Sequence, residues 1–312
     1  MKKVSIITPC YNEQENILIC IKTLQNVFQD KLQNYDYEHI ICDNSSTDST
    51  RSILKEVAQS NKKVKVIFNS RNVGPFKSIW NALKRSSGDV VIPFLPADLQ
   101  DPPEVIPQLI DAWEQGYSVV YGIRVDRKEK FILKNLRKLY YYLIKHFSQI
   151  QIPNNAGEFL LADRRTIDSI LSVDNEYPYV RGLIAQTCPD YSTVSYAWGK
   201  RKSGKSKNSL FDLLDQAING LVTTSRVPAR IASIMGLAVS FLAIIFALVT
   251  VAVVLISQKD FSPGIPTIIV SVLFFGGINL FFLGILGEYI LSIHAQVRKQ
   301  PPMFEEKVFN FD

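Results

Sequence analysis

Oxygen-bearing side chains cluster directly behind an apolar run in the first third of the chain. The run Val90–Leu95 is typical of a buried strand end, and Asp98, Gln100 and Asp101 follow it. Carboxylate and amide oxygens at the carboxyl end of a strand suit a hard divalent cation that holds a phosphate. An acidic helix cap is the alternative, because a Pro-Pro pair comes next, where a helix could begin. The segment by itself is compatible with both interpretations.

Residues 1–125 alternate between strand-like and helix-like stretches. The strand candidates are Val4–Thr8, Tyr37–Cys42, Val64–Phe68, Asp89–Leu95 and Ser118–Tyr121, and the helix candidates are Glu15–Phe28, Thr47–Ser60, Pro75–Ser86 and Pro103–Gln115. This order predicts an α/β fold with a mostly parallel sheet and helices on both faces. Ligands of such sheets bind at the carboxyl ends of the strands, where residues 9–13 and 43–48 lie. No Gly-rich dinucleotide fingerprint follows the first strand, which argues against a nicotinamide or flavin enzyme.

Two long stretches, residues 231–256 and 261–287, contain no charged side chain. Each is long enough to cross a hydrocarbon core of about 30 Å. A transmembrane hairpin is therefore predicted within residues 230–293, with helices at about 231–256 and 264–287. A buried helical pair in a soluble core is the alternative. The outer flanks of the hairpin carry the cations Arg226, Arg230, Arg298 and Lys299. The positive-inside rule then places both termini in the cytoplasm, which predicts a multi-pass protein of the plasma membrane.

Composition narrows the range of partners. The formal net charge of +6 favours a partner with phosphates or an anionic lipid. Nucleic acid is the less favoured partner, because two membrane spans already account for a basic surface. The cysteines show no metal-binding spacing and are predicted to be free thiols in a reducing compartment; they are Cys10, Cys20, Cys42 and Cys188. No cleavable signal is expected at the N-terminus, since Lys2-Lys3 leads straight into the first strand.

Cationic and amphipathic stretches lie between the strand-rich region and the predicted hairpin. Residues 128–147 have an apolar stripe and a basic face, which favours either the membrane surface or packing on the domain. Arg124 and Arg127, just ahead of this stretch, could reach a lipid phosphate. The run Lys200–Lys207 taken alone is compatible with a solvated basic loop. The predicted parts of the chain are a catalytic domain at 1–208, an amphipathic juxtamembrane helix at 209–229, the hairpin, and a cytoplasmic tail at 294–312.

Four motifs occur in order at the predicted strand-to-helix turns: Ile7–Glu13, Asp43–Thr50, Arg71–Gly74 and Ala97–Glu104. Together they resemble the inverting glycosyltransferases of the GT-A fold. More closely, they resemble the polyprenyl-phosphate branch, which includes dolichol-phosphate mannose synthase and bacterial undecaprenyl-phosphate glycosyltransferases. Residues 286–290 and 298–302 are similar to the closing signature of the bacterial branch. The resemblance therefore extends over essentially the whole chain.

The resemblance implies a nucleotide site and a metal site. Asp98 and Gln100 match the family's metal ligands, which implies Mg²⁺ or Mn²⁺ as the cofactor. This chain has Pro96 where the family usually has the first acid of Asp-x-Asp, and Asn44 where a second acid is common. The residues assigned to the nucleotide of the sugar donor are Pro9, Tyr11, Asn12, Glu13, Asp43, Asn72 and Lys77.

The resemblance also implies residues that act near the acceptor. Glu158 stands where the family usually has an Asp proposed to act at the acceptor, although a loop-capping role is the alternative. Arg201, with Asp98 and Glu158, is assigned to catalysis. A phosphate-binding loop is implied between Arg201 and Lys207, because Arg, Gly, Ser and Lys fall in the family's order there. The residues assigned to the diphosphate and the lipid phosphate are Arg124, Arg127, Lys205, Ser206 and Lys207.

The predicted function is an inverting, metal-dependent glycosyltransferase. It would move a single sugar from a nucleotide sugar, such as UDP-glucose, to undecaprenyl phosphate at the cytoplasmic face of the membrane. Two spans per chain leave room for a bundle of copies, so a homo-oligomer is predicted. A catalytically impaired scaffold is one alternative, motivated by Pro96. A processive polysaccharide synthase is another, although this chain has no Gln-x-x-Arg-Trp motif and fewer spans than such enzymes.

Overall fold

The structure is a computed structural model that describes residues 1–125, 152–153, 155–173, 178–199, 264–297 and 305–311, with scattered residues between 234 and 256. The chain divides into two compact units. One unit contains the sheet domain together with residues 305–311. The other contains the long apolar helix that begins at residue 265.

The described strands form one eight-stranded sheet. They are β1 (Lys2–Cys10), β2 (Tyr35–Asp43), β3 (Val64–Asn69), β4 (Val90–Ile92), β5 (Val119–Val125), β6 (Ala156–Asp163), β7 (Ser192–Ala197) and β8 (Glu305–Phe309). Their order across the sheet is β7-β5-β6-β4-β1-β2-β3-β8. The strands β1 to β4 are mutually parallel, and β5 is parallel to β7. Since only β6 and β8 run antiparallel to their neighbours, the predicted mostly parallel sheet is confirmed.

Helices connect the strands in the predicted order. They are α1 (Ile17–Lys31), α2 (Thr50–Ser60), α3 (Pro75–Arg85), α4 (Ile106–Glu114), α5 (Arg164–Leu171), α6 (Val180–Thr187) and α7 (Ile265–Val297). A 3₁₀ turn at Pro103–Val105 leads into α4. Proline is tolerated at the start of this turn because its missing N–H would have no intrahelical partner there. The sequence predicts the strands and helices up to residue 125 and misses α5, α6, β6, β7 and β8.

Alternation along the strands divides the core between the two faces of the sheet. Ile6 on β1 packs with Leu24 of α1 and Leu109 of α4. The next residue, Ile7, packs on the opposite face with Ile79 of α3. Burying each such side chain contributes about 1.5–3 kcal/mol, so both faces must be covered. With helices on both faces, the carboxyl edge of β1–β4 is left for polar loops.

A buried carboxylate closes the opposite, amino-terminal edge of the sheet. The Glu38 side chain on β2 is 1% exposed and lies 2.8 Å from Lys65 Nζ and 2.9 Å from Lys3 Nζ. Ser5 Oγ also donates to it at 2.6 Å. Burial acts to raise the pKa of Glu38, but the hydrogen bonds from Lys65 and Ser5 lower it to about 2. The charge of this buried carboxylate is therefore balanced within the fold.

The helix α7 is apolar over most of its length. Within the described residues, one helix is long and apolar enough to cross a membrane, and the candidate span on it is Phe274–Leu291. The second predicted span, 264–287, falls on this helix, which continues beyond the predicted end to Val297. The first predicted span, 231–256, lies mostly outside the described residues. The two-helix hairpin is therefore not confirmed by the structure.

The strand β8 brings the end of the chain back to the sheet domain. It pairs antiparallel with the edge strand β3, with Phe309 opposite Val66 and Val308 opposite Ile67. The Phe309 ring stands edge-on to Phe68, with 5.8 Å between the ring centroids. The sequence predicts a tail at 294–312 with no strand in it. In the structure, residues 305–309 of that tail form β8 of the sheet.

Candidate active site

The loops that follow β1 and β2 are joined by hydrogen bonds. The backbone N–H of Asn12 donates to Ser46 Oγ at 2.8 Å, and its side-chain Oδ1 accepts from Thr47 N at 2.7 Å. Glu13 N donates to Thr50 Oγ1 at 2.9 Å. Asn12 has φ 54°, a left-handed conformation that asparagine tolerates better than most residues. The predicted nucleotide residues 9–13 are therefore held against the end of β2.

Asp43 ends β2 and is fully buried at this edge. Its Oδ2 accepts from Ser46 N at 3.1 Å and lies 3.5 Å from Arg51 Nε. Burial raises the pKa of Asp43, while hydrogen bonds from Ser46 and the charge of Arg51 act to lower it. The sequence assigns this carboxylate to the nucleotide, and its observed partners in the structure are Ser46 and Arg51.

A third loop, after β3, joins the same cluster through Asn44. Asn44 Nδ2 donates to Asn72 Oδ1 at 2.8 Å, and Asn44 Oδ1 accepts from Val73 N at 2.9 Å. Gly74, with φ 83°, then turns the chain into α3, whose first turn contains the half-buried Lys77. The structure thus brings the predicted nucleotide residues together on neighbouring loops, with Asn44 as the central connection.

The predicted metal ligands lie on the turn after β4. Burial alternates along this turn: Leu95, Ala97 and Leu99 are buried, whereas Asp98 and Gln100 are half-buried. Leu99 has φ 57°, and Gln100 N donates to Asp98 Oδ1 at 3.2 Å. The alternation leaves both oxygen-bearing side chains partly accessible at the carboxyl edge of the sheet.

Hard oxygen donors of this kind fit Mg²⁺ or Mn²⁺. Among the residues that the structure describes, no group of three or more Asp, Glu, His or Cys side chains is placed to hold a metal ion. Pro96, the departure from the family pattern, removes one further carboxylate. A cation bound at Asp98 and Gln100 would consequently take its remaining ligands from substrate phosphates and water.

Asp101, the last acid of this segment, has a different environment. It is fully buried, and Arg124 on β5 donates to both of its oxygens, from Nε at 2.9 Å and from Nη2 at 2.6 Å. The sequence assigns Arg124 to a lipid phosphate. In the structure its guanidinium is directed to Asp101 and its side chain is 15% exposed. A buried carboxylate, rather than the membrane surface, is the observed partner of Arg124.

Glu158 also has a cationic partner that the sequence does not indicate. It lies on β6, half-buried, with Oε1 at 3.3 Å from Arg181 Nε of α6. Arg181 Nη1 donates to the carbonyl of Ala156 at 2.6 Å, and Nη2 donates to the Tyr179 hydroxyl at 2.6 Å. This pairing anchors the Glu158 carboxylate and restricts its orientation. The negative charge of Glu158 is therefore partly balanced by Arg181.

Several predicted residues lie outside the described residues. They are Arg127, Arg201, Lys205, Ser206 and Lys207. The amphipathic stretches at 128–147 and 209–229 also lie outside the described residues. The described chain leads toward the basic loop as far as Gly199, whose N–H donates to the carbonyl of Gln100 at 2.9 Å.

The functional residues that sequence patterns miss are those that act through partners distant in the chain. Arg181 and Tyr196 have no motif that distinguishes them from ordinary polar residues. Asp101 does stand beside the metal ligands, but its partner Arg124 follows 23 residues later. A charged residue near the end of a strand, such as Arg124 on β5, is the sequence feature that could have indicated a buried ion pair.

The sheet topology and the polar carboxyl edge define an α/β protein with a candidate ligand site at the ends of its parallel strands. Residues 5–171 match the family model described as glycosyl transferase family 2. The chain belongs to this family of glycosyltransferases, as its similarity to curated relatives over nearly the full length also shows.

Two curated relatives illustrate the similarity. An uncharacterized glycosyltransferase of Bacillus subtilis, YkcC, is 31% identical over 99% of this chain and 94% of its own length. The SfII prophage-derived bactoprenol glucosyl transferase of Shigella flexneri is 31% identical over 98% of each chain. Among solved structures, glucosyl-3-phosphoglycerate synthase from Mycobacterium tuberculosis, in complex with Mn²⁺, UDP-glucose and phosphoglyceric acid, is 19% identical. It aligns over 69% of this chain and 76% of its own, with a TM-score of 0.46.

Proposed function

We propose that this protein transfers a single sugar from a nucleotide sugar to a polyprenyl phosphate at the membrane surface. The observation that carries the proposal is the match, over 98% of both chains, to a bactoprenol glucosyl transferase. The site supports it, because the residues assigned to the nucleotide and the hard oxygen donors Asp98 and Gln100 lie at one edge of the sheet. A UDP-sugar such as UDP-glucose is the donor we propose. The product is a lipid-linked monophosphate sugar for modifying envelope glycans.

The chemistry requires stabilisation of a leaving group more than activation of a nucleophile. A phosphate monoester has a second pKa of about 6 and is largely dianionic at neutral pH. One of its oxygens attacks the anomeric carbon from the side opposite the nucleotide. The bond between that carbon and the donor phosphate breaks, the nucleoside diphosphate departs with the electron pair, and the anomeric configuration inverts. No proton has to be removed from the acceptor.

The chain's own residues take complementary roles in this step. Asp43 and Asn72 hold the nucleotide, while Asp98 and Gln100 face the diphosphate. A divalent cation bound there supplies Lewis-acid neutralisation of the departing charge. Glu158, anchored by Arg181, orients the acceptor. Arg201, Lys205, Ser206 and Lys207 are proposed to bind the phosphates, since arginine and lysine suit phosphate oxygens.

We propose a multi-pass topology with the sheet domain and both termini in the cytoplasm. The position of β8 supports it: β1–β7 precede α7 in the chain, β8 follows it, and all lie in one sheet. The segments that precede and follow α7 must therefore lie on the same side of a membrane. If α7 crosses once, the chain must cross a second time before it, and residues 231–256 are the uncharged stretch suited to this. Several copies could associate through such hairpins.

The test is transfer by the full-length protein in detergent or liposomes. A panel of radiolabelled nucleotide sugars is incubated with undecaprenyl phosphate, and the lipid extract is analysed for labelled product. We expect one donor to give a product with a single sugar, and no product with undecaprenol, which has no phosphate. Growth of the product beyond one sugar would favour a processive synthase. Absence of product with every donor would favour a scaffold.

A further inference from the structure

We propose that Arg124 is a positioning residue: through the buried Asp101 it fixes the Asp98–Gln100 turn, and with Tyr196 it ties that turn to the segment leading into the basic loop. The proposal rests on the proposed function for what the turn binds. The structural arrangement itself involves only the residues of the sheet domain.

Asp101 receives an unusual concentration of donors. Besides the two hydrogen bonds from Arg124, the Tyr196 hydroxyl on β7 donates to Asp101 Oδ1 at 2.5 Å. The carboxylate is fully buried, so no solvent contact compensates for a lost partner. Removing one partner of such a buried pair leaves an uncompensated charge, which is strongly destabilising locally. The position of Asp101 is consequently determined by β5 and β7.

Arg124 has little freedom to move elsewhere. Its Cζ lies 5.3 Å from the centroid of the Trp198 ring, a distance suited to a cation–π contact. On the other side is Gly157 of β6, where an added Cβ would lie 2.9 Å from Arg124 Cζ. A side chain at position 157 would therefore require the guanidinium to shift. The guanidinium is thus confined between β6, Trp198 and Asp101.

The same cluster connects the turn to the beginning of the basic loop. Arg124 and Tyr196 are register partners on β5 and β7. Two residues after β7, Gly199 N donates to the carbonyl of Gln100 at 2.9 Å. The turn is therefore held at Asp101 by side chains and at Gln100 by backbone. Between Asp98 and Gln100, Leu99 has φ 57°, a conformation that persists in a bulky residue only when its surroundings enforce it.

This arrangement argues against the phosphate-binding role that the sequence suggests for Arg124. Its Nε and Nη2 are both engaged with the Asp101 carboxylate. A planar guanidinium that donates in this forked manner has its strongest geometry already satisfied. The pair also lies directly beside the proposed metal ligands. Residues that orient metal ligands in this way commonly change metal affinity by about 10- to 100-fold when replaced.

The test compares Arg124→Gln with Arg164→Gln in the full-length protein. Arg164 is a matched control, because its Nε donates to the carbonyl of Gly88 at 2.8 Å, between β4 and α5, and it is also mostly buried. The first measurement is hydrogen–deuterium exchange of peptides that cover residues 95–101 and 192–199, without metal or nucleotide. We expect faster exchange of both segments in Arg124→Gln and unchanged exchange in Arg164→Gln.

The second measurement is the affinity for Mn²⁺ in the presence of UDP, and binding is detected by electron paramagnetic resonance. We expect Arg124→Gln to weaken Mn²⁺ binding by about 10-fold or more, while UDP affinity in EDTA stays within about twofold. Arg124→Lys should not restore it, since an ammonium cannot form the forked contact. If Arg124→Gln does not fold, Tyr196→Phe replaces it, and a smaller change in the same direction is expected.

Two results would overturn the proposal. One is unchanged exchange of residues 95–101 in a folded Arg124→Gln protein. The other is unchanged Mn²⁺ affinity with a raised KM for undecaprenyl phosphate, which would assign Arg124 to the acceptor. If the unmodified protein binds no Mn²⁺ with UDP, the metal part of the proposed function fails, and the exchange measurement alone decides the role of Arg124.

Discussion

At the scale of single residues, the site combines acids in different environments. Asp43 and Asp101 are fully buried, whereas Asp98 is partly accessible on a turn whose neighbouring side chains are buried. Asp101 is neutralised by Arg124, and Asp43 lies near Arg51. Asp98 is therefore the acid of this group best placed to meet a substrate-bound cation. This difference in accessibility is the reason why the proposed metal role is assigned to Asp98.

Replacing Asp98 should remove the contribution of the cation. We expect Asp98→Ala to abolish transfer, and Asp98→Asn to lose most of it, because the amide keeps one oxygen and loses the charge. Titration of Mg²⁺ or Mn²⁺ with and without UDP should show tight binding only with the nucleotide. Glu104→Gln, an exposed carboxylate in the same segment, is the control and should transfer normally. Full activity in EDTA, or an active Asp98→Ala protein, would contradict the metal role.

At the scale of secondary-structure elements, β8 links the tail to the nucleotide loops. Two arginines hold it: Arg51 Nη2 donates to Glu306 at 2.6 Å, and Arg85 Nε donates to Glu305 at 2.8 Å. Arg51 also lies beside Asp43, whereas Arg85 lies at the end of α3. The two arginines therefore anchor the same strand, and Arg51 also contacts Asp43 of the proposed nucleotide site.

This pair allows the two roles to be separated. Arg51→Gln should weaken UDP binding by about fivefold, corresponding to a pair energy on the order of 1 kcal/mol. Burial already raises the pKa of Asp43, and loss of the Arg51 charge raises it further. A larger fraction of Asp43 is then protonated as the pH falls, so the loss of affinity should be greater at pH 6 than at pH 8.

Arg85→Gln is the control for this measurement. It removes the matching anchor of β8 and should leave UDP affinity within about twofold, as expected for a substitution that changes stability by about 0.5 kcal/mol or less. Calorimetric titration of UDP into each purified variant provides the comparison. Equal losses of affinity in both variants would show that Arg51 acts only through the attachment of β8.

At the scale of the whole molecule, the sheet domain and the apolar helix α7 differ in where their apolar side chains lie. The side chains described along α7 are largely exposed, including Phe274, Phe281 and Leu291. Such a surface is unfavourable in water and suits a hydrocarbon environment. At 1.5 Å per residue, a helix needs about 20 residues to cross the bilayer core, and α7 is longer than this. The sheet domain has the opposite character, with its apolar side chains inside.

Cysteine labelling in intact cells tests the proposed topology. In a background without the native cysteines, single cysteines at positions 257–264 should react with an impermeant reagent from outside. Cysteines introduced at exposed positions beside Asp98 and Glu305 should react only after the cells are opened. The position near Glu305 is the sharper test, because β8 shares a sheet with β1–β7. External labelling at either site would exclude the cytoplasmic assignment.

Local patterns in the sequence were sufficient for the strands and helices up to residue 125 and for the apolar character of α7, and they placed polar loops at the carboxyl ends of the strands. Alternation, helix-start prolines and polar residues after strands are all properties of neighbouring residues. Periodicity alone therefore reveals them. The carboxyl ends of adjacent parallel strands must meet, so the clustering of those loops also follows from the order of the elements.

Only the tertiary structure decided which charged side chains form ion pairs with one another inside the fold. Arg124 and Asp101 are 23 residues apart, and Arg51 and Glu306 are 255 apart. Such pairs depend on strand order and register, which no local pattern encodes. The pairing of β8 with β3 is of the same kind, because an edge strand can accept any segment with suitable alternation. The sequence therefore proposed candidate residues for the site, and the fold paired Arg124 with a buried carboxylate because β5 places it there.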